Sequence, residues 1–383
     1  MLKMRMRLKD SDRKWAERTR DFVSKSVEPH ASDWDRRGEL PDTILRTLTE
    51  AGLVATILGH GSDRSAGYVR YGAMMEEIGR SCSSVRSLLT VHDMVCAVLH
   101  RWGGAETKDD ILPTLLDGHA LAAFALSEPD AGSDAGSITT IATLSEGGYR
   151  IRGRKTWITL GAAARWLLVF AREGTGISTF LVDGSDETVK RRRIHECVGT
   201  RAATPAEIDF ENTFVPSGRR VGPSGSGFPL IATSALTIGR IGVAFGAVGI
   251  AETALRIMRG HAATRIQFGE PLIKKQIVRQ IITRSMERIQ SARLLCFRAA
   301  DLLDIGHLDA EAETMLAKYS AAKAATAVVA DSIQVLGARG LMSTLPLERL
   351  SRDARVSEII EGSTQVIENA LPELLDIDLV ESH

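Results

Sequence analysis

The sequence predicts an α+β protein in which a helical domain, a small β domain and a second helical domain follow one another. Apolar residues recur at helical spacing over the first third of the chain, then alternate or run in short blocks between turn signals, then return to helical spacing. A length of 383 residues also exceeds one ordinary core. We therefore expect domains at residues 1–120, 121–227 and 228–383.

The N-terminal third is predicted to be helical. Ser11 can cap a helix that carries Trp15 and Val23 on one side. Apolar residues at helical spacing then continue from Tyr68 to Arg101. This pattern predicts a layer of helices with one buried face.

The central segment has the signature of short strands with frequent turns, which predicts a small barrel or sandwich. Its alternating or continuously apolar blocks are Tyr149–Arg152, Trp166–Phe170, Ser178–Val182 and Ala206–Phe210. After Pro229 the helical period returns, and the stretch from Ile241 to Met258 is apolar almost all round, which predicts a buried helix. Two further long helices and a last one after residue 361 predict a helical bundle.

Composition argues against several functional classes. Lys and Arg total 48 and Asp and Glu also total 48, so the formal net charge is zero and gives no sign of a nucleic-acid-binding or membrane-binding surface. No apolar run reaches the roughly 18–20 residues that span a bilayer, and the basic N-terminus has no apolar signal core. Four scattered cysteines and the histidine spacing predict a cytoplasmic protein without disulfides or a bound metal.

The strongest candidate for catalysis is the stretch Ile359-Ile360-Glu361-Gly362-Ser363. Two isoleucines before Glu361 predict a poorly hydrated carboxylate, and desolvation makes a carboxylate a better base near neutral pH. Gly362 has no Cβ, so a ligand can approach the backbone there. The alternative interpretation is a glutamate at a helix end or on the surface.

Two motifs in the central segment can hold a ligand. Ser127–Asp134 combines turn residues with hydroxyls and backbone amides that suit anionic oxygens or a carbonyl, although it can equally be a polar loop. Lys155–Thr159 places a tryptophan beside a threonine, which suits a flat ring, although a tryptophan on a strand is often core. The basic run Lys190–Arg193 is interpreted as a solvated loop face, and the glycines from Gly222 to Gly227 lack the context of a phosphate loop.

Two motifs in the C-terminal segment suit a phosphate. Arg265–Gly269 begins with a forked guanidinium donor, and the loop from Gln334 to Gly340 has small residues whose backbone can lie against a diphosphate. The alternatives are an exposed polar turn for the first motif and a helix C-cap for the second.

The order of these five motifs resembles that of the acyl-CoA dehydrogenase family, and Arg352-Asp353-Ala354-Arg355 before the glutamate is also similar to it. The resemblance extends from about Glu39 to about Leu375. It implies the family's α+β fold, with an N-terminal helical domain, a central β-barrel domain and a C-terminal four-helix bundle. It also implies an FAD-dependent oxidoreductase that acts on an acyl thioester.

The resemblance implies a set of flavin-binding residues. Those that would contact the flavin ring are Leu126, Ser127, Trp157 and Thr159. Ser133 would lie near both the pyrophosphate and the substrate thioester. Those that would reach the adenine-nucleotide half, commonly that of a neighbouring subunit, are Arg265, Phe268, Gln276, Gln334 and Gly337, while Ser363 and Gln365 would complete the site. A site built across subunits implies a homodimer or homotetramer.

Glu361 falls on the family's catalytic base, which would remove the α-proton of the thioester while a β-hydride passes to flavin N5. In the family, the backbone N–H of the base residue and a ribityl hydroxyl polarise the thioester carbonyl. The resemblance also places Arg240 and Gly362 near the substrate and implies an electron acceptor such as an electron-transfer flavoprotein.

The chain departs from the family pattern at three places. Thr237 stands where many relatives have an acidic residue, three positions before Arg240, that contacts the acyl carrier. Ala338 replaces the second glycine of the Gln-x-x-Gly-Gly loop. The usual Gly-Gly pair of the N-terminal domain does not occur between Gly59 and Gly67. The first departure argues against free coenzyme A as the carrier.

Three sequence segments resemble one branch of the family. Its members act on acyl groups tethered to an acyl carrier protein, in the biosynthesis of hydroxymalonyl-type polyketide extender units. The segments are Trp34–Pro41, Cys82–Ser87 and Glu358–Ser363. Such a substrate is small and polar, so Arg80 or Arg86 would pair with its carboxylate or hydroxyl, unless both lie on a helix surface. Arg80 also falls where glutaryl-type dehydrogenases place a carboxylate-binding arginine. The alternatives are an ordinary acyl-CoA dehydrogenase of fatty or amino acid catabolism, a flavin oxidase or monooxygenase, and a DNA-binding flavoprotein of the same fold.

Overall fold

The computed structural model describes residues 9–59 and 67–374, so most of the segment with the missing Gly-Gly pair lies outside the described residues. The described chain divides into two compact units. The helical unit comprises the described parts of 1–33, 67–86 and 240–383, and the strand unit comprises those of 34–66 and 87–239. The predicted domain boundaries after residues 120 and 227 stay a prediction.

The described residues follow the order helices, strands, helices, which confirms the predicted α+β class. The α-helices are α1 (Asp10–Ser26), α2 (Ala31–Arg37), α3 (Ile44–Glu50), α4 (Tyr68–Gly79), α5 (Ser83–Trp102), α6 (Leu112–Leu116), α7 (Thr233–Thr264), α8 (Gln276–Asp304), α9 (Ala310–Leu336), α10 (Pro346–Ser357) and α11 (Thr364–Leu374). The strands are β1 (Ala122–Ala125), β2 (Ile141–Ser145), β3 (Gly148–Ile158), β4 (Trp166–Glu173), β5 (Gly176–Asp183), β6 (Val189–Arg193), β7 (Ala206–Pro216), β8 (Arg220–Val221), β9 (Ile266–Gln267) and β10 (Glu270–Pro271).

The strand unit contains one eight-stranded sheet in the order β6-β7-β3-β2-β4-β5-β8, with β1 paired in parallel to β4. The four predicted apolar blocks lie in β3, β4, β5 and β7, so the predicted β domain is confirmed. The register of β3 against β7 shifts between Lys155 and Ile158, which places Trp157 in a bulge with a φ of 58°. The interpretation of Lys190–Arg193 as a loop is wrong, because these residues form β6 and pair with β7.

The helical unit is built from long helices with small buried residues. The buried side chains of α9 include Ala317, Ala321 and Ala325, which let this helix pack closely against α8. The stretch from Ile241 to Met258 in α7 is buried almost throughout, as predicted. The segment Gly227–Thr264 is long and apolar enough to cross a membrane by composition, contrary to the sequence expectation, but 89% of its most apolar window is buried inside the protein.

Two details of the N-terminal prediction are corrected. Helix α1 begins at Asp10 with Lys9 at its cap position, so Ser11 lies inside the first turn rather than capping it. The buried positions Trp15 and Val23 are as predicted. The long stretch after Tyr68 is two helices, α4 and α5, with a break between them at residues 80–82.

Close packing of α7 against α4 requires a glycine at position 249. A Cβ there would overlap the carbonyl oxygen of Glu76 and lie 2.8 Å from the backbone nitrogen of Arg80. Both are backbone atoms, so neither can rotate away as a flexible side chain would. By contrast, a Cβ at Gly260 on the same helix would meet no heavy atom within 4 Å.

We expect Gly249→Ala to lower the free energy of unfolding by about 1–3 kcal/mol through overpacking. The control Gly260→Ala should raise it by about 0.5–1 kcal/mol, because alanine is the better helix former in an exposed position. Thermal and denaturant unfolding of the two variants beside the wild type measures both effects. Equal stability of the two variants would contradict the packing argument.

Candidate active site

The loop that carries Glu361 joins α10 to α11 and is closed by a hydrogen bond from the Thr364 N–H to the Glu358 carbonyl, 2.9 Å long. Glu361 has a φ of 57° and Gly362 a φ of 94°. The left-handed region costs a residue with a Cβ on the order of 1 kcal/mol or more, and it persists only where surrounding contacts fix it. The backbone of this loop is therefore held in a strained shape.

Two cationic side chains fix this strained backbone. Arg240 Nε donates to the Glu361 carbonyl at 3.3 Å, and Lys318 Nζ donates to the Gly362 carbonyl at 2.5 Å. Lys318 is fully buried, and Arg240 also lies 3.5 Å from the Glu311 carboxylate. Arg240 thus binds the backbone of the candidate base, and its predicted contact with the substrate stays a prediction.

The Glu361 carboxylate has one oxygen, Oε2, that is shielded from solvent and has no hydrogen-bond partner among the described residues. Burial raises the pKa of this carboxyl above its ordinary value of 4.5, while Arg240, Arg86 and Lys318 oppose the rise. The prediction of a poorly hydrated side chain is confirmed. A desolvated carboxylate oxygen without a partner is suited to accepting a proton.

Arg86 is the third cation of this cluster. It is 4% exposed on α5, so the alternative of a helix-surface arginine is excluded for it. Burial lowers the pKa of Arg86 from its ordinary value, while Glu361, Tyr71 and Asp353 raise it. Its charge therefore faces the same space as the candidate base.

Arg80 takes part in ion pairs with residues of α4, the helix that precedes it. Its guanidinium forms ion pairs of 3.0 Å with both Glu76 and Glu77. Glu76 in turn binds Arg293 of α8 at 2.8 Å, so Arg80 is part of an ion network that holds helices of this unit together. The predicted pairing of Arg80 with a substrate stays a prediction, and Arg86, which is tied to neither Glu76 nor Glu77 by these ion pairs, is the better candidate.

In the strand unit, a buried ion pair joins the Ser127–Asp134 loop to β3. Lys155 Nζ lies 2.8 Å from Glu128 Oε1, and the two side chains are 0% and 3% exposed. The N–H groups of Thr139 and Thr140 donate to the Glu128 oxygens at 2.6 and 2.9 Å. Burial raises the pKa of Glu128, but these hydrogen bonds and Lys155 outweigh it and bring the value to about 2.

The residues predicted to contact a flavin ring lie beside this ion pair in the chain. Lys155 Nζ also donates to the Leu126 carbonyl at 2.9 Å, and the Thr156 N–H donates to the Ser127 carbonyl at 2.9 Å. Trp157 follows directly and is 64% exposed, so the alternative of a core tryptophan is excluded. Leu126 is buried, Ser127 and Thr159 are half-buried, and Ser133 is exposed.

In the helical unit, the residues predicted to reach the adenine nucleotide all lie on the surface: Arg265, Phe268, Gln276, Gln334 and Gly337. Phe268 is 95% exposed in the β9–β10 turn. Gly337 also caps α9, as the alternative interpretation expected, and donates its N–H to the Ile333 and Gln334 carbonyls.

The last two predicted positions follow the candidate base. Ser363 caps α11 by accepting the Val366 N–H at 3.3 Å, and Gln365 is exposed. Neither observation tests a contact with a cofactor.

These surfaces suit the cofactor that the motifs imply. An outward indole beside a half-buried threonine in the strand unit fits a flat aromatic ring. In the helical unit, an exposed guanidinium and the open backbone at Gly337, where a Cβ would meet nothing within 4 Å, fit a diphosphate. Each unit thus presents groups that match one part of FAD.

Sequence reasoning missed Lys318 and the Glu128–Lys155 pair. Lys318 lies one turn after Thr314 and one turn before Ala321, all on the buried face of α9. A lysine within an alanine-rich buried stripe is a signal that periodicity alone can find. The Glu128–Lys155 pair joins positions 27 apart in the chain, so only the fold reveals it.

Family models match the chain in three consecutive parts. The N-terminal, middle and C-terminal domains of acyl-CoA dehydrogenase match residues 9–119, 123–213 and 225–373. The chain belongs to the acyl-CoA dehydrogenase family, whose members are FAD-dependent oxidoreductases. The predicted family, enzyme class and cofactor are confirmed.

Two curated relatives match nearly the whole chain. Cyclohexane-1-carbonyl-CoA dehydrogenase of Geobacter metallireducens is 35% identical over 357 residues, which cover 91% of this chain and 93% of the relative. The mitochondrial short-chain specific acyl-CoA dehydrogenase of Mus musculus is 35% identical over 358 residues, which cover 91% and 85%.

Solved structures agree with this assignment. A glutaryl-coenzyme A dehydrogenase in complex with glutaryl-CoA has a TM-score of 0.92 and 27% identity, with 97% of each chain covered. FkbI, described as serving biosynthesis of the methoxymalonyl extender unit of the Fk520 polyketide, has a TM-score of 0.84 and 32% identity, with 94% and 98% covered.

We expect Lys155→Met to destabilise the strand unit by about 3–5 kcal/mol, because it leaves Glu128 charged and buried without its cation. The control is Arg154→Met at the neighbouring residue, whose ion pair with Asp209 is exposed to solvent. That control should unfold close to the wild type. Thermal unfolding of both variants measures the difference, and a Lys155→Met variant as stable as Arg154→Met would contradict the assigned role of the buried pair.

Proposed function

We propose that the protein is an acyl-thioester dehydrogenase in which Glu361 is the general base and the acyl group is short and polar. The observation that carries this proposal is the Glu361 carboxylate itself: Oε2 is desolvated and without a partner, on a backbone that two cations hold. The acyl-CoA dehydrogenases among the relatives support the reaction class.

In this proposal, Oε2 of Glu361 takes the proton from the α-carbon of the thioester. Burial raises the carboxyl's affinity for that proton, and the three surrounding cations oppose this rise by favouring the ionised form. The backbone N–H of Glu361 belongs to the same fixed segment and would donate to the thioester carbonyl, which makes the α-proton more acidic.

FAD, when bound, supplies the acceptor for the β-hydride. In the strand unit, Trp157 and Thr159 would hold the ring and Ser133 the pyrophosphate. In the helical unit, Arg265 and Gln334 would bind the adenine-nucleotide half belonging to a second copy of the chain. An acceptor such as an electron-transfer flavoprotein would then take the electrons.

Exposed apolar side chains support the expected homodimer or homotetramer. They occur in the β9–β10 hairpin, at the start of α8 and after α9, and comprise Ile266, Phe268, Ile277, Leu341 and Met342, each between 52% and 95% exposed. Large apolar side chains left exposed within and next to a cofactor motif are typical of a surface that a second subunit covers.

The cations around Glu361 support a polar acyl group. Arg86 is buried and its charge acts on the candidate base, so a carboxylate or hydroxyl on an acyl chain bound there would be stabilised by the same charge.

The relatives named above act on coenzyme A thioesters, which favours coenzyme A as the carrier of the acyl group. A carrier protein is the second candidate. The 32% identity to FkbI over nearly the whole chain and the neutral Thr237 favour it.

The deciding experiment mixes the flavin-loaded protein, without oxygen, with butyryl, 3-hydroxybutyryl and glutaryl thioesters, each on coenzyme A and on a loaded carrier protein. Bleaching of the visible flavin band reports dehydrogenation. We expect thioesters of the polar acyl groups to bleach the band faster than butyryl thioesters. Comparing the rates for coenzyme A and carrier-protein thioesters of the same acyl group identifies the carrier that the enzyme recognises. A protein that no thioester bleaches would overturn the proposed function.

We expect Glu361→Gln to retain bound flavin and lose turnover by about 10²–10⁴-fold, because the amide cannot accept the α-proton. Glu368→Gln is the matched control, since Glu368 is an exposed residue of α11 that accepts a hydrogen bond from the Tyr319 hydroxyl. Steady-state rates and the flavin-to-protein ratio of both variants are measured. Wild-type turnover in Glu361→Gln would remove this residue from the mechanism.

We expect Arg86→Met to lower kcat/KM for a carboxylate- or hydroxyl-bearing acyl group by about 10–100-fold more than for an apolar one, because a charge-assisted hydrogen bond is lost. The ratio of kcat/KM for the polar acyl group to kcat/KM for the apolar one isolates this role, because a general effect on Glu361 would lower both values equally. Arg86→Lys keeps the charge and should restore part of the ratio. An equal loss on both substrates would show that Arg86 does not select the acyl group.

A further inference from the structure

We propose that Lys318 is a positioning residue for the base: its buried ammonium group fixes the Glu361–Gly362 backbone and stabilises the negative charge of the carboxylate. This inference rests on the proposed role of Glu361. The contact that carries it is the 2.5 Å hydrogen bond from Lys318 Nζ to the Gly362 carbonyl.

A lysine with no solvent exposure needs a specific reason to be charged. Lys318 is 0% exposed on α9, and moving an ammonium group out of water is costly unless nearby groups compensate. Burial lowers the pKa of Lys318 to about 8, with Arg240 adding to the fall, while Glu361 and Glu358 oppose it. The group is therefore mostly protonated at neutral pH, and the compensation comes from the loop that carries the base.

The backbone contact matters because the loop is strained. Arg240 holds the carbonyl of Glu361 and Lys318 holds the carbonyl of Gly362, so two successive peptide planes are fixed. Glycine reaches both signs of φ about equally well, so Gly362 is the place where this segment can flip. Removing the Lys318 contact would free that flip and misplace the Glu361 carboxylate, and an error of 1 Å at a reacting group can cost on the order of 10²-fold in rate.

The positive charge of Lys318 matters because burial disfavours the ionised form of the Glu361 carboxylate. The groups that face Glu361 are Arg240 from α7, Arg86 from α5 and Lys318 from α9. Glu358 also faces Lys318, and Asp353 and Tyr71 face Arg86. Without Lys318, two cations remain, so the pKa of Glu361 rises further and a smaller fraction of the base is ionised at a given pH.

The test compares Lys318→Met with Lys323→Met in the flavin-loaded protein. Lys323 lies on the same helix but is exposed, where it donates to the Tyr319 hydroxyl. We expect Lys318→Met to keep its flavin, to lower kcat by about 10²-fold with KM within about twofold, and to move the acid limb of the kcat profile to higher pH. Lys323→Met should match the wild type. An unchanged acid limb and kcat, or a loss explained by flavin release and unfolding, would overturn the inference.

A substrate-free measurement separates this inference from the proposed function. The infrared absorption of the protonated Glu361 carboxyl, identified by its loss in Glu361→Gln, is followed as the pH is changed. Its midpoint should rise in Lys318→Met and return toward the wild type in Lys318→Arg, which keeps the charge. This outcome is expected whether or not any thioester is turned over, and an unchanged midpoint in Lys318→Met would overturn the inference while leaving the assigned reaction intact.

Discussion

One carboxylate surrounded by three cations, two of them buried and one half-buried, is the constraint that organises the helical unit. Helices α5, α7 and α9 each contribute one cation, and the loop between α10 and α11 brings Glu361 to them. Buried cations need nearby negative charge or carbonyl oxygens, and this loop supplies both. The long helices therefore have to meet at one place, and the identity of the residue at 361 is coupled to their packing.

Each unit contains a glutamate with a desolvated oxygen, and the two are held in opposite ways. Both oxygens of Glu128 have donors: Lys155 and the Thr140 N–H bind Oε1, and the N–H and hydroxyl of Thr139 bind Oε2. Its pKa is held near 2, and it acts as a structural tie. Glu361 has cations near it but leaves Oε2 without a donor, so burial raises its pKa. Whether both carboxylate oxygens have hydrogen-bond donors, rather than burial alone, therefore distinguishes a structural glutamate from a candidate base.

The order of elements and the candidate base were predictable from the sequence because periodicity and local composition encode them. The alternating blocks indicated the strands. The desolvation of Glu361 was expected from the two isoleucines before it, but Ile359 is 58% exposed, so its apolar side chain is not what shields the carboxylate. The partners of Glu361 were not predictable in the same way, since Arg86 and Lys318 come from helices far away in the chain. Arg80 and Arg86 look alike as residues of one helical stretch, and only their neighbours distinguish an arginine tied to Glu76 and Glu77 from one that faces the base.

The left-handed backbone at Glu361 has a consequence for the evolution and engineering of this chain. Glycine or asparagine would adopt that conformation with less strain, but either would leave Arg240, Arg86 and Lys318 without the charge of the carboxylate. Relief of the backbone and balance of the charges therefore oppose each other at this position. A consensus redesign that treats residue 361 as an ordinary turn position would exchange a local conformational gain for an electrostatic loss and would remove the candidate base.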